Sequence, residues 1–100
     1  MPTVRLSKIA SGDLRRLRKF LFDKDRDAAN RSTEVITDHL LRLRTSPHLG
    51  SPYGNFKKLV IPFGQSSYLA FYHYYEAANL ILVTRIFHGR ENVDLDPPDH

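Results

Sequence analysis

The second half of the chain carries five side chains suited to phosphate chemistry: Lys57, Lys58, Arg85, His88 and Arg90. Cleavage of a phosphodiester builds negative charge on its non-bridging oxygens, and fixed cations lower the energy of that state. His88 adds an imidazole, which titrates near neutral pH and can serve as a general acid or base. The alternative interpretation is a solvated basic rim, with His88 as a packing or turn residue at a strand end. The sequence leaves both interpretations open.

Arg85 lies in an apolar run, NLILVTRIFH at 79–88, which is typical of a β-strand buried on both faces. Strand alternation places Val83 and Phe87 on the same side of this strand as Arg85. A charge in such a strand is seldom left unpaired, because its removal from water is costly. The sequence therefore predicts that Arg85 either pairs with an acid or faces a concave functional surface.

The preceding strand is rich in aromatic residues, in the order Tyr68, Phe71, Tyr72, Tyr74 and Tyr75. Alternation places Tyr68, Tyr72 and Tyr74 on one face of that strand. Aromatic rings can stack on nucleobases, but they are also preferred strand residues that pack well under a helix. We predict that these rings serve the core and contacts with a protein partner.

The composition and motifs exclude several other chemistries. The chain has no cysteine, which excludes thiolate nucleophiles and zinc–thiolate sites. Its histidines are too scattered to predict a metal site, and it has no P-loop, dinucleotide-binding glycine pattern or nucleophile elbow. We therefore expect neither a cofactor nor a metal.

A first amphipathic helix is predicted after a short β-like run, TVRL at 3–6, with Ser11 and Asp13 as candidate caps. Its apolar residues recur at helical spacing: Leu14, Leu17, Phe20 and Leu21. Its outer face is strongly basic: Arg15, Arg16, Arg18 and Lys19. Such a face is either simply solvated or a surface for phosphates or an acidic chain.

A second helix is predicted from Asp27 to Arg44, with its buried stripe formed by Ala29, Ser32, Ile36, Leu40 and Leu43. Residues 47–55 are rich in turn formers and are predicted to form a loop. Three strand signals follow this loop, at 56–63, 67–75 and 79–88. The order β-α-α-β-β-β indicates an α+β domain in which a helical hairpin packs on a small antiparallel sheet.

Charge is distributed unevenly along this chain of net charge +4. Residues 1–90 contain all fifteen Lys and Arg against seven Asp and Glu, a net of +8, whereas the last ten residues add four acids. Such a body should attract a polyanion or an acidic protein. We predict one domain over 1–92 and an acidic flexible tail over 93–100. Without a signal-peptide or membrane-spanning run, we expect a cytoplasmic protein that does not contact membranes.

These patterns resemble the RelE/ParE superfamily of type II toxin–antitoxin toxins over residues 3–92. The resemblance is carried by SGDLRRLRKFL, LRTSPHLGSP, KKLVIPFGQSSYLAFYHY and ILVTRIFHGRE. The last segment is closely similar to the closing strand of the ParE-like branch. The resemblance implies a bacterial toxin of the plasmid-stabilization type, neutralised by an acidic ParD-like or RelB-like antitoxin. Contact with DNA would be indirect, through the antitoxin.

The two branches of this superfamily imply different activities. The ParE-like branch implies inhibition of DNA gyrase by binding, with Arg85, His88 and Arg90 as target-binding residues. The RelE-like branch implies ribosome-dependent cleavage of mRNA through Lys57, Lys58 and Arg90. A third alternative is a protein-interaction module without toxicity.

Two departures from the ribonuclease pattern favour the ParE-like interpretation. The ribonuclease branch has an arginine where this chain has Leu69, and a tyrosine where this chain has VDLD at 93–96. We therefore favour an inhibitor over an enzyme while leaving catalysis open. The residues that we predict to contact the antitoxin are Arg15, Arg18, Tyr72 and Tyr74.

Overall fold

A computed structural model describes residues 1–91, so the predicted acidic tail at 93–100 lies outside the described residues. The elements are β1 (Thr3–Leu6), α1 (Lys8–Phe22), α2 (Arg26–Arg42), β2 (Ser51–Tyr53), β3 (Phe56–Phe63), β4 (Ser66–Tyr75) and β5 (Leu80–His88). The predicted α+β class and the grouping of helices before strands are confirmed. Neither helix within residues 1–91 has the length and apolar character that crossing a bilayer requires.

The N-cap of α1 lies four residues before Ser11 and six before Asp13, so the assignment of these two residues as caps is wrong. Ser7 is the N-cap, and its hydroxyl accepts a hydrogen bond from Ala10 N at 3.0 Å. The same hydroxyl donates to Thr84 O at 3.0 Å, which fixes the start of α1 against β5. Asp13 consequently lies inside the helix, where it is buried.

Helix α2 follows after a short turn and is close to its predicted extent. Asp25 caps it by accepting a hydrogen bond from Ala28 N at 3.1 Å. The predicted stripe is confirmed, since all five of its members are buried: Ala29, Ser32, Ile36, Leu40 and Leu43. The helices therefore form the expected hairpin, with the apolar stripe of α2 turned inward.

The sheet has the strand order β1-β5-β4-β3-β2. Strands β3, β4 and β5 pair antiparallel as predicted, whereas β1 pairs parallel with β5. The prediction of a continuous loop over 47–55 is wrong in part, because Ser51–Tyr53 forms the short edge strand β2. This strand carries a proline and spans only three residues, so it gave no alternating pattern.

The core lies between the helical hairpin and one face of the sheet. Leu17 of α1 and Ile36 of α2 are buried against sheet residues, among them Ile61, Tyr72 and Val83. Burial of one large apolar side chain stabilises the folded state by about 1.5–3 kcal/mol. This burial holds α1 against β5, next to the candidate site.

Candidate partner-binding groove

A groove of about 540 Å³ lies between α1, the β3–β4 hairpin and the end of β5. We call it the α1 groove. Its apolar lining consists of Leu17, Phe20, Leu21, Phe63 and Tyr68. Its polar lining consists of Arg16, His88, Arg90 and Glu91. The groove thus brings together His88 and Arg90, two of the three residues predicted to bind a target.

The apolar lining combines buried support with one exposed ring. Leu17 and Tyr68 are buried, whereas Phe20 is 65% exposed. The Tyr68 ring meets the His88 ring edge-on, with their centroids 5.5 Å apart. An exposed aromatic ring beside a concave surface is a common anchor of protein interfaces, because a partner that covers it gains apolar burial.

The polar lining is ordered by Glu91 and His88. Glu91 accepts one hydrogen bond from Arg16 Nη1 at 2.9 Å and another from His88 N at 2.7 Å. Arg90 N donates to His88 Nδ1 at 3.1 Å, so the neutral His88 ring carries its proton on Nε2. The groove therefore contains an imidazole ring, an ion pair and the cation of Arg90.

Arg85 lies behind the groove, where it is paired with the buried Asp13. Its Nε donates to Asp13 Oδ2 at 2.8 Å and its Nη2 to Oδ1 at 3.3 Å. These bonds favour the charged guanidinium and raise the pKa of Arg85, while partial burial opposes that shift. Asp13 Oδ2 also accepts a hydrogen bond from Ile86 N at 2.9 Å. Of the two predicted alternatives for Arg85, the structure contains the ion pair.

A β-bulge explains why strand alternation misplaced Arg85. Phe71 pairs with Arg85 but the next residue, Tyr72, pairs with Val83, so Thr84 is an extra residue in β5. The predicted placement of Val83 on the side of Arg85 is therefore wrong, since the extra residue breaks the alternation between them. The Arg85 guanidinium instead lies over the Phe87 ring, 4.5 Å from its centroid.

The structure does not bring the ribonuclease candidates together. Lys57 pairs with Tyr72 on β4, whereas His88 pairs with Tyr68 on the same strand. Four residues along a strand correspond to about 13 Å. Lys57 and its neighbour Lys58 therefore lie towards the far end of β3, away from Arg90.

The residues predicted to contact an antitoxin are distributed over three environments. Arg15 and Arg18 are exposed on α1, and Arg18 donates to Asn30 of α2 at 2.7 Å. Tyr74 is half-buried, with its ring against that of His48. Tyr72 is fully buried, so the prediction that it contacts a partner is contradicted by its position.

The Tyr72 hydroxyl instead fixes the loop before β2. It donates to Pro47 O at 2.9 Å and accepts from Gly50 N at 2.9 Å. Gly50 is required by this contact, because a Cβ there would lie 2.9 Å from both Lys58 O and the Tyr72 ring. Burial raises the pKa of the Tyr72 hydroxyl, and the hydrogen bond from Gly50 lowers it in part.

Sequence reasoning did not assign to the site three residues that line the groove, Arg16, Phe20 and Glu91, nor Asp13, the acid that pairs with Arg85. An acid near a helix start is typical of a cap, and this pattern concealed the partner of Arg85, which lies 72 positions away. Phe20 was assigned to the apolar side of α1, and nothing in its spacing indicates that it remains exposed. Among residues 1–91, no three His, Asp or Glu side chains are grouped as metal ligands.

Comparison with known proteins gives consistent matches over nearly the whole chain. A family model described as the ParE toxin of type II toxin–antitoxin systems, parDE, matches residues 4–93. Toxin RelE1 of Caulobacter vibrioides is 36% identical over 90 residues, which cover 89% of this chain and 95% of that protein. Toxin RelE3 of the same organism is 30% identical over 92 residues, which cover 91% and 98%.

Proposed function

The chain belongs to the ParE toxin family of type II toxin–antitoxin systems, and from this we propose that it inhibits DNA gyrase by binding. The α1 groove is the proposed target surface. Phe20 provides an exposed apolar anchor, and Arg90 and His88 provide a cation and a ring donor beside it. Because gyrase acts on intracellular DNA, this function belongs to the cytoplasm.

The observation that carries this proposal is the separation of the cationic residues. Transition-state stabilisation requires charges fixed around one reacting phosphate. Along the sheet, Lys57 lies about 13 Å and Lys58 about 10 Å from the register position of His88, the residue that precedes the Gly89–Arg90 turn. Arg85 is engaged by Asp13. The arrangement suits a binding surface better than a phosphodiesterase site, and we propose that Arg85 supports the target-binding residues from behind.

A supercoiling assay with purified gyrase tests the proposal. We expect the wild-type protein to inhibit supercoiling and Arg90→Ala to weaken inhibition about tenfold, as expected for one charged contact at an interface. Arg31→Ala is the matched control, because Arg31 is an exposed arginine on α2 away from the groove. Undiminished supercoiling at stoichiometric excess of the wild-type protein would refute gyrase inhibition.

A second candidate function is ribosome-dependent cleavage of mRNA, which is favoured by the names of the two Caulobacter relatives, both called RelE toxins. Lys57, Lys58 and Arg90 would carry it. Cleavage of mRNA in a translating extract that is abolished by Arg90→Ala would establish this activity in place of gyrase inhibition.

The antitoxin partner follows from the family, and we propose that it is an acidic protein of the ParD or RelB kind. Its charge would complement the basic body of residues 1–90 and accelerate encounter. Arg15 and Arg18 on α1 and the exposed part of Tyr74 remain the proposed contacts. Apolar anchors would supply most of the affinity, so we expect binding to weaken only modestly with salt. Complete dissociation at moderate salt would contradict apolar anchoring.

The alternative of an interaction module without toxicity has a direct test. Induced expression without the antitoxin should arrest growth if the protein is an active toxin. Unchanged growth, at an expression level confirmed by immunoblotting, would favour the interaction module.

A further inference from the structure

The turn after β5 is held firmly on the sheet by its backbone. Gly89 N donates to Ser67 O at 2.7 Å, and Glu91 N donates to His88 O at 2.9 Å. A Cβ at Gly89 would lie 2.7 Å from Ser67 Oγ and 3.0 Å from Ser67 O, so any larger residue would force Ser67 or the turn to move. These contacts fix the turn to β4 but leave its position relative to α1 undetermined.

The Glu91 side chain supplies the link to α1. Its two carboxylate oxygens have different partners: Oε1 accepts from His88 N at 2.7 Å, and Oε2 accepts from Arg16 Nη1 at 2.9 Å. One side chain thus closes the turn and attaches it to a helix 75 positions earlier in the chain. Without this carboxylate, the ion pair with Arg16 would be lost and the wall of the groove formed by the 88–91 turn would no longer be fixed to α1.

The link continues inward through Arg16. Its Nη2 lies 3.6 Å from Oδ1 of the buried Asp13, which in turn holds Arg85. Arg16 therefore lies between two carboxylates, and its charge is compensated within the molecule. Within residues 1–91, Arg90 has no carboxylate partner, so it is the groove cation left to bind an acidic group.

We propose that Glu91 is the positioning residue of the α1 groove. By engaging Arg16 and the His88 amide, it holds the 88–91 turn against α1 before a partner arrives. It also prevents Arg16 from competing with Arg90 for a carboxylate of the partner. The role in partner binding rests on the proposed function of the groove, whereas the ordering of the turn does not.

Glu91→Ala in the full chain removes both hydrogen bonds, and Glu91→Gln is the conservative variant that keeps an acceptor for the His88 amide. Asp38→Asn, at an exposed acid on α2, is the matched control. Amide hydrogen exchange at His88 measures the turn directly. We expect exchange to be at least about tenfold faster in Glu91→Ala, intermediate in Glu91→Gln and unchanged in Asp38→Asn.

A double-mutant cycle separates positioning from a general loss of stability. If Glu91 acts through Arg16, then Arg16→Gln and Glu91→Gln together should weaken gyrase binding no more than either change alone. We expect each single change to weaken the apparent Kd about 3- to 10-fold, because the partner must then order the turn on binding.

The outcomes distinguish this inference from the proposed function. Unchanged His88 exchange in Glu91→Ala would overturn the positioning role. Faster exchange with an unchanged gyrase Kd would also overturn it, because Glu91 would then be merely structural. Faster exchange with no gyrase binding by the wild-type protein would support the ordering of the turn and refute gyrase as the target.

Discussion

Strand β4 contributes one tyrosine to a groove that is open to solvent and another to a region that is closed off by a loop. Tyr68 at one end borders the open α1 groove, next to the exposed ring of Phe20. Tyr72, four residues later on the same face, is sealed under the 47–50 loop and hydrogen-bonded through its hydroxyl. The same residue type on one strand therefore serves a surface at one end and the fold at the other. What differs is the element that covers each ring.

Among the changes that compare the two regions, Tyr72→Ala is expected to have the largest effect on stability. Loss of this buried ring leaves a cavity and removes the partner of Gly50 N, so we expect the free energy of unfolding to fall by about 3–5 kcal/mol. Urea denaturation measures the change. A loss below about 1 kcal/mol would show that the loop region does not depend on this ring.

Asp13→Ala is expected to have the next largest effect, and it tests the interior support of the groove. The change removes the acceptor of Ile86 N and leaves Arg85 without its partner. Because Arg85 is partly exposed and can rehydrate, we expect a loss of about 2–3 kcal/mol rather than the full cost of an isolated buried charge. Thermal unfolding of Asp13→Ala beside Asp38→Asn measures it.

Tyr72→Phe isolates the hydroxyl of the sealed region. We expect a loss of about 1–2 kcal/mol at neutral pH, because two hydrogen-bonding partners lose the hydroxyl. The raised pKa of Tyr72 also predicts a pH dependence. Above the usual value of 10.0 the unfolded chain releases the proton while the folded chain retains it, so wild-type stability falls.

The advantage of the wild-type protein over Tyr72→Phe should therefore be constant below pH 10.0 and decrease as the pH rises through the raised folded value. Unfolding by urea at several alkaline pH values measures this difference. An advantage that grows with alkaline pH would contradict a neutral, buried hydroxyl.

The smallest effect on stability is expected in the groove, from Phe20→Ser. Its ring is largely exposed, so the free energy of unfolding should change by less than about 0.5 kcal/mol. Gyrase binding should nevertheless weaken about tenfold, because an interface anchor is lost. Calorimetric titration and urea denaturation of the same preparation measure both quantities, and a large stability loss would remove the contrast between the regions.

The comparison also explains how much could be predicted from the sequence. Periodic patterns gave both helices and the three long strands, because each depends on local spacing of apolar residues. The parallel pairing of β1 with β5 and the bulge at Thr84 depend on contacts between distant segments. No local pattern specifies such contacts.

The candidate site was predictable to a similar degree. His88 and Arg90 follow from the resemblance in the last strand, and the structure places both in the groove. The burial of Tyr72 could not be predicted, since alternation gives the face of a strand residue but not the loop that covers it. Likewise, the Asp13–Arg85 pair joins a helix to a strand that local reasoning treats separately.

The carboxylate of Asp13 has one further consequence, which concerns self-association. Strand β1 pairs with β5 only as far as Val83, so beyond that point the side of β5 opposite β4 has no strand beside it within residues 1–91. An open edge offers backbone donors to strands of other molecules and promotes aggregation. Asp13 occupies the donor of Ile86 with a charged group and keeps α1 over this edge. The Ile86 donor is therefore not available to a strand of another copy, and a charged group at an edge is a common means of discouraging such pairing.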